Sequence, residues 1–193
     1  MFNSIAVRIA DKLIEYNTIN SDDRDIYEFG INQIFTTFLN LITVLIIGTL
    51  MHSIKESVFF FAAFIPLRIF AGGIHSKTPL RCYIYSSIIV VAVLLAMRYL
   101  SIPFLIYCLL YGMAGIIILA FSPVEDKNKP LDPIEKKVYR KRTIIVFAAE
   151  SFILLIFYFA KIQFAVKSIM ISTIALSLMI LLGIIKNYLA DSN

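Results

Sequence analysis

The sequence predicts an all-α, polytopic membrane helical bundle, and three observations carry that prediction. Of its 193 residues 60% are hydrophobic and only 16% are charged, against about 25% charged in an ordinary soluble domain. Mean hydropathy is +0.85. The apolar residues are gathered into six long stretches, 32–52, 57–71, 83–97, 99–124, 143–160 and 168–185. A soluble core of this size needs far less apolar sequence, so the excess faces lipid.

The elements follow in chain order. Residues 1–31 form a polar N-terminal segment with no continuous apolar run of the signal-peptide kind. Within it Phe2, Ile5, Ile9, Leu13 and Tyr16 recur at spacings of three and four. That spacing predicts an amphipathic helix, lying either in the membrane interface or against another part of the protein. About 20 residues of helix cross the hydrocarbon. Stretches 32–52 and 99–124 reach that length without a charge, and 143–160 and 168–185 come close to it. Stretches 57–71 and 83–97 are shorter, and Arg68 sits in the first. They cross with help from polar flanks, or they are partly re-entrant. The whole of 1–193 reads as one membrane domain.

Six crossings put both termini on one side. Under that topology 14 of the 18 Lys and Arg residues fall on the side of the termini, in the N-terminal segment, the 68–82 connection, the basic 122–142 loop and the C-terminal end. Lys55, Arg98, Lys161 and Lys167 are left for the other side. Positive charge accumulates in the cytoplasm. The termini and both connections are therefore expected at the cytoplasmic face of a bacterial cell membrane. The net charge of +5 is accounted for by topology and by attraction of the basic residues to anionic lipid of the inner leaflet. No nucleic-acid motif accompanies it, so no nucleic-acid partner is expected.

Polar chemistry is scarce enough to allow elimination. The chain has two Cys, Cys82 and Cys108, and two His, His52 and His75. Neither the zinc-protease helix H-E-x-x-H nor the nucleophile elbow G-x-S-x-G occurs. Four scattered Cys and His residues do not make a structural zinc site, and no metal or cofactor is expected. A thiol at the cytoplasmic surface and one at mid-span do not predict a disulfide.

Only His75 and Cys82 share a connection. Thr78 followed by Pro79 is a helix-start signal, Thr capping and Pro at the first helical position. Cys82 then falls in or just after the first helical turn. The positive end of the helix dipole and the neighbouring Arg81 both favour thiolate there. His75 lies just before the helix, near enough to fold back on the sulfur. A Cys–His couple so placed is an activated nucleophile. Gly72 and Gly73 let the chain turn tightly or approach a bound peptide. A Cys and a His seven apart also arise by chance; what singles this pair out is its place in a short polar connection at the membrane surface.

The block Arg68…Gly72-Gly73-Ile74-His75…Cys82 resembles that of the accessory gene regulator protein B (AgrB) family, membrane peptidases of peptide quorum sensing. The segment Pro123-Val124-Glu125-Asp126-Lys127-Asn128-Lys129-Pro130-Leu131 is similar to the family's proline- and lysine-containing loop. The layout, a polar N-terminal helix followed by six apolar stretches, extends the resemblance over the whole chain. The resemblance implies a thiol protease with a Cys–His dyad that cuts the C-terminal tail from a small amphipathic precursor peptide (AgrD-like). Cys82 would attack the scissile carbonyl, and His75 would take the thiol proton and pass it to the leaving amine. An internal Cys or Ser of the peptide would then displace Cys82 from the thioester, closing a thiolactone or lactone ring. The family also suggests a homodimer.

Further polar residues take roles within that picture. Arg68 is read as binding a carboxylate of the substrate, or as a snorkelling anchor. Lys127 and Lys129 suit an acidic peptide tail, or form a solvated basic loop. Glu150, alone within an apolar stretch, is expected to face the protein interior, where it pairs with Arg68 or Arg98, orients His75, or stays protonated. Glu28 and Gln33 are weaker candidates for lining the site. Two non-enzymatic alternatives stand beside the peptidase. One is a membrane peptide exporter or scaffold in which Cys82 is incidental. The other is a transporter with inverted repeats, but no internal repeat is evident.

Overall fold

A computed structural model describes residues 3–73, 79–99, 102–125 and 131–191. Seven α-helices account for almost all of them: α1 (Asn3–Glu15), α2 (Arg24–Leu50), α3 (Ile54–Ala71), α4 (Pro79–Tyr99), α5 (Phe104–Phe121), α6 (Pro133–Phe159) and α7 (Gln163–Asp191). A short 3-10 turn, Ser21–Asp23, leads into α2. The bundle is all-α, and each of the six apolar stretches is one helix.

Helix limits differ from the apolar limits for local reasons. Of the stretch 99–124, Tyr99 closes α4 and α5 begins only at Phe104, because Pro103 stands outside the helix with extended backbone and proline disfavours helical backbone in the residue before it. α6 begins well before its apolar part. Asp132 caps it, accepting from the backbone of Ile134 and Glu135 at 2.7 and 2.6 Å. Glu135 returns a bond to the Asp132 amide. This capping box makes the run Lys136–Arg142 the opening turns of a helix rather than loop.

α2 with its leading turn, α5, α6 and α7 are long and apolar enough to cross a membrane. α3 carries Lys55, Glu56 and Arg68 near its ends. At a rise of about 1.5 Å per residue its 18 residues cover about 27 Å, close to the hydrocarbon thickness. Both α3 and α4 are unbroken, so neither short stretch contains an internal re-entrant turn.

α7 is the central helix. It packs mainly on α3 and α5, with α6 alongside, while α2 and α4 close on the far side of α3. Small residues on α7 let its neighbours approach closely. Ser168, Ser172, Thr173 and Ser177 are all buried, and each hydroxyl donates to a carbonyl three or four residues back. Large apolar side chains such as Ile34, Phe38, Leu105, Ile116 and Phe152 are exposed around the outside, as lipid contact requires.

The N-terminal helix α1 packs on α2 through Ala6 and Ala10, both fully buried. Arg24 ties the two helices by donating to Asp11 at 2.8 Å. Ile5 and Tyr16 remain exposed, so the packed helix still presents apolar groups outward.

Candidate functional site

The helices alternate direction, so the bundle has two ends. One gathers the C-terminal ends of α3, α5 and α7 with the N-terminal ends of α4 and α6. At this end two connections that are distant in sequence join through their backbones. The Gly72 amide donates back to Arg68 O at 3.2 Å and ends α3. Val124 N–H donates to Ala71 O at 2.9 Å, and Gly73 N–H donates to Val124 O at 3.4 Å. The result is a parallel bridge between Gly72 and Val124.

Both glycines are demanded by this junction. Gly72 has φ +75° and Gly73 φ +121°, values that L side chains rarely adopt. A Cβ at Gly72 would also strike the Val124 carbonyl, and one at Gly73 would lie 2.5 Å from the Arg68 guanidinium. Arg68 itself turns back and donates through Nη1 to Gly72 O. The Arg68–Gly73 part of the predicted site is thus a compact cap on α3, pressed against the 122–125 segment.

The second connection is anchored by Glu125. Its carboxylate pairs with Lys136 of α6 and accepts the Leu131 amide at 3.2 Å. Its carbonyl accepts from Asn187 of α7 at 2.8 Å. One residue therefore ties both sides of the loop to two helices. The Lys136 ammonium, bonded directly to the carboxylate, holds Glu125 below its ordinary pKa; burial opposes this, and the Leu131 amide adds to the lowering.

Thr78, the expected cap of α4, lies outside the described residues. α4 is described from Pro79 onward, and Cys82 lies in its first described turn. The next residue is fixed. Tyr83 Oη lies 2.6 Å from Thr43 Oγ1 of α2, and Thr43 donates to Leu39 O, so the tyrosine donates to the threonine. That bond sets the rotation of α4 about its axis one residue after Cys82. Cys108, the other thiol, lies half-buried in α5 beside the core formed by Tyr107, Leu154 and Ile169.

His75 lies outside the described residues, as do Lys127 and Lys129. Cys82 is described by its backbone alone, and so is Gln33 on α2. Glu28 is half-buried and accepts from Arg24 at 3.3 Å, so it is engaged at the start of α2. Glu150 is buried within α6, and among the described residues neither carboxylate oxygen has a hydrogen-bond partner. It therefore forms no hydrogen bond with Arg68 or Arg98. Sequence reasoning missed the roles of Val124, Asn187 and Lys136. Their partners lie 52, 62 and 11 residues away, at Gly72, Glu125 and Glu125, beyond any local signal.

Comparison with known proteins places these features in a family. The family model described as accessory gene regulator B matches residues 6–189. A putative AgrB-like protein of Clostridium perfringens (strain SM101 / Type A) is 25% identical over 90% of this chain and 86% of its own length. Putative AgrB-like protein 2 of Clostridium perfringens (strain 13 / Type A) is 25% identical over 74% of this chain and 70% of its own. Accessory gene regulator protein B of Staphylococcus carnosus (strain TM300) is 26% identical, covering 74% of each chain. No solved structure matches the chain.

Proposed function

Because the chain belongs to the accessory gene regulator B family, whose members serve quorum sensing, we propose that it is a membrane cysteine endopeptidase that matures a signal peptide. The observation that carries this reading is the placement of Cys82 in the first turn of α4, after a connection whose two ends are fixed. Gly72–Gly73 are held by Val124 on one side, and Tyr83 is held by Thr43 on the other.

The chemistry follows from that placement. The N-terminal end of α4 stabilises negative charge, which favours Cys82 as thiolate. The thiolate attacks the scissile carbonyl of a small amphipathic precursor, and the amide C–N bond breaks. His75 carries the thiol proton to the departing amine. The N-terminal part of the precursor stays on Cys82 as a thioester. A Cys or Ser within that peptide attacks the thioester carbonyl, closes a thiolactone or lactone, and returns the Cys82 sulfur. A site that excludes water protects the intermediate from hydrolysis. Forming a thioester from an amide is unfavourable, so a downstream step such as removal of the cut tail must draw the reaction forward.

In this reading Arg68, Lys127 and Lys129 face the acidic tail of the precursor, and the enzyme works as a homodimer. Both termini, the 68–82 connection and the 122–132 loop lie at the cytoplasmic face. The test is co-expression of the chain with a precursor peptide. The wild type releases a cut, cyclised product. Cys82→Ala leaves the precursor intact while the protein stays folded in the membrane. Unchanged product from Cys82→Ala would mean an exporter or scaffold instead.

A further inference from the structure

The opposite end of the bundle holds a polar feature that the proposed reaction does not use. An open cavity of about 450 Å³ lies between the α2–α3 turn, the last turn of α4 and the first turns of α7. His52, Glu56, Arg98, Gln163 and Lys167 supply its charged and polar walls, with Phe164 beside them.

Its charge is unexpected for its position. Among the described residues four Lys or Arg, Lys55, Arg98, Lys161 and Lys167, belong to this end of the bundle, and three gather here from three helices. Arg98 and Lys167 line the cavity. The Lys55 ammonium sits 5.9 Å from the ring of Phe164, a wall residue. Among the described residues Glu56 is the one carboxylate in the lining, and it offsets a single charge. Basic residues are sparse on the side of a membrane protein away from the cytoplasm, and like charges drawn together repel. A bound anion relieves that repulsion.

The donors suit a group with several oxygens. Arg98 is exposed and donates through Nη1 to Met51 O at 3.1 Å, leaving further guanidinium N–H groups for another acceptor. Lys167 offers a point charge from a different helix, and an Arg–Lys pair of this kind suits phosphate. The level in the bilayer points to lipid. Leu50, Tyr99 and Phe159 end their helices at this same height and are 75%, 70% and 78% exposed, as apolar and aromatic groups are at the membrane boundary.

We infer that this cavity binds the phosphate headgroup of an anionic lipid in the adjoining leaflet. The inference is independent of the peptidase reading.

The test uses the full chain in phosphatidylcholine nanodiscs containing a minority of phosphatidylglycerol, with retained lipid counted by native mass spectrometry. The wild type keeps phosphatidylglycerol in preference to phosphatidylcholine. Arg98→Gln with Lys167→Gln lowers that preference about tenfold, a loss of about 1.4 kcal/mol. Arg98→Lys with Lys167→Arg retains most of it, which separates lost charge from lost folding. Lys161→Gln removes the fourth cation of this end, which does not line the cavity, and leaves the preference intact. Equal retention by wild type and the double Gln variant would overturn the site, and so would equal loss on Lys161→Gln. Displacement of the lipid by millimolar inorganic phosphate would show a soluble phosphate site and overturn the headgroup assignment.

Discussion

Gly72 and Val124 form a backbone bridge that fastens the end of α3 to the segment after α5, across 52 residues of sequence. The Val124 side chain is buried among Leu67, Ala71, Ile118, Leu176 and Ile180. The junction therefore rests on the core and holds the end of α3 firmly against the segment after α5.

Gly72→Ala is the direct probe of this junction. The substitution forces a Cβ into a left-handed backbone and against the Val124 carbonyl. The expected cost is about 1–3 kcal/mol, seen as a lower melting temperature in detergent. Peptide processing should fall with it. Gly112, where an added Cβ meets nothing within 4 Å, is the control, and Gly112→Ala should leave stability unchanged or slightly raised.

The Tyr83–Thr43 bond is expected to act as a positioning contact. Tyr83→Phe should cost about 1 kcal/mol of stability and slow processing while leaving peptide binding near normal. In a double-mutant cycle with Thr43→Val the two losses should not add. Full additivity would show that the hydroxyls act separately.

Glu125 gives a pH prediction with a definite sign. Its pKa is lowered in the fold by Lys136. The stability it contributes is therefore fully present above its ordinary value of 4.5 and is lost as pH falls through the lower folded value. Melting temperatures from pH 7 to pH 3 should fall more steeply for the wild type than for Glu125→Gln. Matching slopes would remove the ion pair from the account.

Much of the fold was legible because lipid imposes a simple rule: apolar runs of sufficient length become helices. The six stretches are α2 to α7. The N-terminal periodicity marked α1. What the sequence did not disclose is contact between distant segments. Asp132 and Glu135 form a capping box that converts a basic run into helix, a local signal lying within a segment whose dense charge resembles a loop. The Gly72–Val124 bridge and the Asn187–Glu125 bond have no local signal at all. Residue types and spacing singled out Arg68, Gly72, Gly73 and Cys82 as candidates, and the fold gives the two glycines a structural reason, the backbone junction with Val124. Glu150 was expected to find a cationic or histidine partner or to stay protonated. Among the described residues neither of its oxygens has a hydrogen-bond partner.

Thiol reactivity separates the two cysteines. Cys82 stands at the positive end of α4, whereas Cys108 sits in α5 against the core. A small alkylating reagent at neutral pH should modify Cys82 first, by about tenfold or more. Equal rates under native conditions would argue against an activated sulfur.

The central claim is that Cys82 carries the peptide. Wild-type protein mixed with precursor should be quenched in acid within seconds, digested and read by mass spectrometry. The account predicts an adduct on the Cys82 peptide with the mass of the precursor lacking its tail, removed by hydroxylamine and absent from Cys82→Ser. Product formation with no such adduct, or an adduct on Cys108, would contradict it.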